Sequence, residues 1–279
     1  TACASGAEDP RNIVQMFRQV VKEAPRFPGG WKGLLATESV IVATETYPES
    51  RATAPLLRRH IAVPRKLDPQ MPEAFSAELF LIPGSDIDGQ MELVSRAVAL
   101  HPDNPGLNSQ LSLLLSLVGR AKDAVAYAKR ATELDPVSPD FLASYVTMLG
   151  WTGQREVALS VLGAAEKRWP GASSVLDARW RYHLRFGDPR EALRLNQSGA
   201  VSASGLESYL AARIDPTQAN IDRAVADAAA QAETTPRAIG VLIQTLAEFG
   251  REEEAYDRLL NGPRWDPTFV NQALFRPGL

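Results

Sequence analysis

The chain has 279 residues, 45% of them apolar and 23% charged, which is enough to bury a full core and too apolar for a disordered segment. A net charge of −3 argues against a strong nucleic-acid binder, and the one cysteine, Cys3, rules out an internal disulfide and a zinc site built on thiolates. The longest apolar stretch, 111–118, falls far short of the roughly 20 residues that span a bilayer. No basic flank with an apolar run opens the chain. The expectation is therefore no membrane insertion and a cytoplasmic setting, or an extracytoplasmic one if a membrane helix precedes this region in a longer protein.

In chain order, the first element is a helix over 11–24 whose apolar residues Ile13, Val14, Phe17, Val20 and Val21 recur at helical spacing. It reads as the second helix of a pair without its first, closed by Pro25, so the chain is expected to begin inside a repeat of a longer protein. Its apolar strip is expected to stand open, offering a homodimer contact through an array end. A unit over 28–69 keeps Trp31, Leu34 and Leu35 but runs about ten residues long, with the excess near 44–55. The unit 71–102 keeps Ala97 and Pro102, with Gly84 one place early.

The units 105–136, 139–170 and 173–202 fix a period of 34. Gly119, Gly153 and Gly187 recur on it, as do Ala124, Ala158 and Ala192, and Pro102, Pro136 and Pro170. The glycine falls where a tight turn demands positive φ. The alanine falls where paired helices approach closely. The proline stops the second helix, because it has no N–H to donate. Between these marks, Leu142, Tyr145, Val146 and Leu149, then Ala158, Leu162 and Ala165, form amphipathic stripes. The third unit dissolves after Ser198, a short unit over 205–235 has Asp215-Pro216 at its centre, and 236–267 restores Ile239, Ile243, Leu246, Gly250, Ala255, Leu259 and Pro267. A last helix over 268–275 reads as a cap.

These residues resemble the tetratricopeptide repeat, best in 139–170. The resemblance implies an all-α fold, a right-handed α-solenoid of antiparallel helix pairs forming a single domain over 1–279. It implies that first helices line a concave surface whose groove residues are Phe75, Leu79, Ser109, Leu113, Ala143, Thr147, Trp151, Asp177, Arg181 and Arg185, with Gln244 and Glu248 equivalent in the last clear unit. Trp151 reads equally as a groove residue or as a plug toward the next repeat. The two-carboxylate clamp of chaperone adaptors finds only Lys32, with Ala36 where asparagine should stand. The groove is apolar near Phe75, Leu113 and Trp151 and basic near Arg181 and Arg185, so the expected partner is a protein or peptide with an apolar stretch and an acidic end. The run IVQMFRQVVKEAPRFPGGW, 13–31, and the ending RWDPTFVNQALFRPGL are similar to repeat arrays of bacterial winged-helix regulators, which implies the sensor or regulatory region of a larger membrane-linked transcriptional regulator. An accessory arm of a transferase is a further alternative.

No catalytic motif accompanies the repeats. His60, His101 and His183 lie in three different units, and His183 stands where the repeat often places an aromatic, so it reads as a packed ring. Asp86 and Asp88, near Gly84 and Gly89, are expected to start a helix rather than hold a cation. Cys3 has no base beside it. Arg51, Arg58, Arg59, His60, Arg65 and Lys66 form one basic stretch, and Arg179, Arg181, Arg185, Arg190 and Arg194 another. Both read first as solvated helix faces and second as surfaces for an anionic peptide or lipid. Aromatic residues do not interleave with them as nucleic-acid stacking requires. The sequence expectation is a non-catalytic protein-binding scaffold with no cofactor and no metal.

Overall fold

The computed structural model describes residues 9–43, 50–83, 86–199, 201, 206–234 and 239–261. Every regular element among them is a helix. Cys3, Gly84, Pro236, Pro267, residues 44–49 of the 44–55 excess and the expected cap over 268–275 lie outside the described residues. No helix among the described residues is long and apolar enough to cross a membrane. The chain divides into two compact units, Thr1–Leu114 and Leu115–Leu279.

The first unit contains α1 (Pro10–Glu23), α2 (Pro28–Ala43), α3 (Ser50–Ile61), the short α4 (Pro64–Leu67), α5 (Pro72–Leu79), α6 (Ile87–Leu100) and the start of α7 (Pro105–Leu117). Asp9 caps α1 by accepting from the Arg11 N–H at 2.9 Å, and Pro10 sits in the first turn where a missing N–H costs nothing. The apolar strip of α1 is not open. Val14 packs with Trp31, Leu34 and Ile41, and Phe17 and Val21 lie against them. A Cβ on Gly33 of α2 would stand 2.1 Å from the Phe17 ring. The helix thus has a partner within its own chain, which corrects the expectation of a bare face awaiting a second copy.

Glu38 of α2 is wholly buried between two basic groups. Arg18 Nη2 of α1 lies 3.0 Å from Oε1, and His60 Nδ1 of α3 lies 2.8 Å from Oε2. The edge of Trp31 meets the His60 ring with centroids 6.0 Å apart. A buried carboxylate is tolerable only with such compensation. Arg65 pairs with Glu78 of α5. The first basic stretch is therefore split: Arg58 and Arg59 face solvent, while His60 and Arg65 serve internal pairs. Asp86 caps α6 through the Gly89 N–H at 2.9 Å, as its spacing predicts.

The second unit continues with α8 (Ala121–Leu134), α9 (Pro139–Trp151), α10 (Arg155–Arg168), α11 (Ser173–Arg185), α12 (Pro189–Gln197), α13 (Glu207–Ile214), α14 (Gln218–Thr234), α15 (Ile239–Glu248) and α16 (Glu252–Asn261). Gly119, Gly153 and Gly250 have φ of 79°, 73° and 77°. After each, the next N–H reaches back to the helix it closes: Arg120 to Leu115 O at 2.8 Å, Gln154 to Leu149 O at 2.9 Å, Arg251 to Leu246 O at 2.9 Å. Gly187 keeps the period for another reason. Its φ is not positive, but a Cβ there would lie 2.6 Å from His183 Nδ1 and 3.1 Å from the Tyr182 ring.

Ala124, Ala158 and Ala192 are fully buried where the periodicity places close helix approach. One core joins α9, α10 and α11 through Leu142, Val146, Leu149, Ala158, Leu162, Ala165, Val175, Ala178 and Tyr182. A second carries Trp180, Leu184, Ala192, Leu195, Tyr209 and Leu210 from α11 across α12 to α13. Helices α13 and α14 pack on each other, and α13 has only 8 residues; Asp215 is its C-cap and Asn220 Nδ2 donates to the Asp215 carbonyl at 2.9 Å.

Candidate partner-binding face

Helices α9 and α11 are first helices of consecutive pairs and pack directly on each other. On α11, Asp177, Arg181 and Arg185 fall at i, i+4 and i+8, so they form one stripe. Arg181 Nε donates to Asp177 Oδ2 at 2.6 Å, with the two side chains 59% and 42% exposed. Asp140 stands in the first turn of α9. Burial, and then the charge of Asp177, raise its pKa above the ordinary aspartate value. Beyond Arg181, burial and then the like charge of Arg181 lower the pKa of Arg185, while Tyr209 of α13 acts in the opposite direction. Asp140 of α9, the Asp177–Arg181–Arg185 stripe of α11 and Tyr209 of α13 thus influence one another electrostatically.

The far end of this line is tied into the structure. The Tyr209 hydroxyl donates to Glu248 Oε2 at 2.6 Å and accepts from Gln244 Nε2 at 3.1 Å. Arg213 Nε lies 3.2 Å from Glu248 Oε1, and its Nη1 donates to the Leu184 carbonyl at the end of α11. Gln244 and Glu248, groove equivalents by register, are thus engaged in holding α13 to α15.

The other expected groove residues are placed differently. Ala143 is half-buried beside the α9–α11 core, and the Thr147 hydroxyl donates to the Ala143 carbonyl at 3.0 Å. Trp151 is half-exposed at the end of α9. With Gly119, Arg120, Ala121, Lys122, Asp123 and Thr152 it lines an open recess of about 560 Å³ at the start of α8. In the first unit Phe75 is 5% exposed, which corrects its expected place on the groove surface. The Arg65 and Arg96 guanidinium groups lie 5.0 and 5.8 Å from its ring centroid, and the His101 ring lies 6.4 Å away. Leu79 and Ser109 are half-buried and Leu113 is 45% exposed. Lys32 pairs with Glu73 at 3.1 Å.

The second basic group also divides by role. Arg179 bridges Glu166 of α10 at 2.5 Å and Glu191 of α12 at 3.0 Å, while Arg190 and Arg194 project into solvent. Arg194 also bonds Glu191 at 2.8 Å and is the main cause of its pKa of about 2. His183 is the packed ring its position predicts. Its edge meets Tyr182 at 5.4 Å, its Nδ1 accepts the Asp188 N–H at 3.2 Å, and burial lowers its pKa. Among the described residues no group of three His, Cys, Asp or Glu side chains is placed to hold a metal ion. Register counting missed Asp140 and Tyr209. It compares residues 34 apart, whereas these two reach the α11 stripe from different positions on neighbouring helices.

No protein-family model and no curated protein sequence matches the chain. Among solved structures it is similar to the APC/C hetero-tetramer Cut9–Hcn1, with a TM-score of 0.65 at 10% identity over 95% of this chain and 53% of that one. The fold is that of tetratricopeptide-repeat proteins. A monomeric mutant of IFIT1 with Gppp-AAAA gives a TM-score of 0.52 at 15% identity, over 85% of this chain and 60% of that one. Yeast Tom70 gives 0.49 at 13% identity, over 95% and 57%. The chain thus spans just over half the length of Tom70 and Cut9. In tetratricopeptide terms, the stripe on α11 is carried by a first helix, and the fully buried Ala192 of α12 marks the close approach of the second helix to it.

Proposed function

We propose that this chain is a non-catalytic scaffold that receives a protein segment along the first-helix face formed by α9, α11 and α13. One observation carries this reading. Asp177, Arg181 and Arg185 recur at i, i+4 and i+8 on α11, and the Asp177–Arg181 pair is well exposed. The hydroxyls of Thr147 and Tyr209, by contrast, are bonded within the fold. An acidic segment of the partner meets Arg181 and Arg185, and its apolar residues lie over neighbouring half-buried positions such as Ala143.

The test is capture from the native cell with three versions of the chain: wild type, Asp140→Lys with Arg181→Glu, and Lys129→Glu on α8 as a control. The expected result is a partner retained by wild type and control and lost by the double variant, with unchanged helical circular dichroism. A double variant that still holds the partner removes this face from consideration.

A further inference from the structure

One end of the first unit is basic although the chain as a whole carries a charge of −3. The loop after α1 and the close of α3 are joined there through Trp31 of α2. The indole Nε1 donates to the Pro25 carbonyl at 2.8 Å, and the ring meets His60 edge-on with centroids 6.0 Å apart. From His60 the chain turns into α4. The Val63 N–H donates to the His60 carbonyl at 3.3 Å, and the Lys66 N–H to the Val63 carbonyl at 3.1 Å. Val63 has helical backbone angles, so Arg59, Val63 and Lys66 continue one stripe from α3 into α4.

Arg26 on the loop, and Arg58, Arg59 and Lys66 beyond Trp31, are all exposed. Among the described residues none of these four makes a side-chain hydrogen bond or ion pair. The carboxylates of the same segments, Glu23 and Asp68, are engaged by Gln19 and by the Gln70 N–H. Apolar side chains stand in water beside the cations: Phe27 is 55% exposed, Leu67 49% and Val63 38%. A protein docking surface gathers its apolar groups into one core and keeps charge out of it. Here Phe27 stands on one segment and Val63 and Leu67 on another, each with cations beside it. That mixture suits a bilayer surface, where separate apolar tips enter the acyl boundary and cations stay level with the phosphates. We infer that this end of the first unit is a contact for an anionic phospholipid surface. It is independent of the docking face on α9, α11 and α13.

Sedimentation with vesicles tests this, using phosphatidylcholine alone and phosphatidylcholine mixed with an equal amount of phosphatidylglycerol. The chain is expected to sediment with the anionic vesicles, to remain in solution over the neutral ones, and to be released by about 0.5 M salt. Each basic residue near such a surface is worth roughly fivefold in partitioning. Arg59→Gln with Lys66→Gln is therefore expected to lower binding about 25-fold. Lys122→Gln with Arg190→Gln makes the same change of charge at exposed positions of the second unit, and is expected to leave binding within about twofold. Leu67→Asn is expected to weaken it about threefold. Circular dichroism should be unchanged in all three. The inference is overturned by equal binding to neutral and anionic vesicles, by equal losses in the two double variants, or by an unchanged Leu67→Asn. Capture of a polyglutamate chain without binding to anionic vesicles overturns it in favour of an acidic protein.

Discussion

Arg213 and Glu248 meet at 3.2 Å between α13 and α15, and both side chains are largely withdrawn from water. Glu248 also accepts the Tyr209 hydroxyl, and Arg213 reaches the last turn of α11, so one ion pair secures the shortest first helix of the unit to its neighbours. Removing one partner strands the other charge. Glu248→Ala is expected to cost about 3 kcal/mol, and Arg213→Met with Glu248→Leu to recover most of that loss. Urea unfolding of the single and double variants measures both; equal stability of Glu248→Ala and wild type refutes the account.

Acid sensitivity is expected at α12. Arg194 holds Glu191 at about 2, below its ordinary value of 4.5. A carboxylate with a depressed folded value contributes stability above the unfolded value and loses it as pH falls through the folded one. The contribution therefore fades between about 4.5 and 2. Glu191→Gln is expected to lower stability at pH 6 and to flatten the decline over that window, read by urea midpoints at several pH values.

Two glycines should respond in opposite ways to alanine. Gly163 lies inside α10 with nothing near the position of a Cβ, so Gly163→Ala is expected to stabilise by about 1 kcal/mol. Gly153 has equal room but a φ of 73°, so Gly153→Ala is expected to destabilise by about 1 kcal/mol. Thermal melts of the two variants decide the matter.

Phe75 separates packing from docking. Buried between two guanidinium groups, it belongs to the interior of the first unit. Phe75→Ala is expected to cost about 3 kcal/mol. The milder Phe75→Leu is expected to leave partner capture unchanged; loss of the partner with intact helicity would return Phe75 to the docking surface.

The helix pairs were readable because a solenoid repeats its constraints. Gly119 and Gly153 need the same backbone geometry, and Ala124 and Ala158 the same clearance, so each recurs at one spacing. The polar partnerships do not repeat. Glu38 finds Arg18 and His60 at separations of 20 and 22 residues, and Tyr209 finds Glu248 at 39. Such pairs arise from local accidents of packing that a 34-residue register cannot reveal. For the same reason the register put Phe75 on the surface: its burial depends on Arg65 and Arg96, which lie on other elements. On α11 the register did place Asp177 and Arg181 on one stripe, since helical spacing alone fixes that.

Repeat arrays usually gain or shed their hairpins piecemeal, because each leans only on its neighbours. Glu38 removes that freedom at the start of this chain. Its two partners, Arg18 and His60, come from the helix before and the helix after, so a state with α1 or α3 undocked leaves the carboxylate with one partner missing. Docking of each helix there favours docking of the others, and α1, α2 and α3 are expected to melt and reform as one cooperative block.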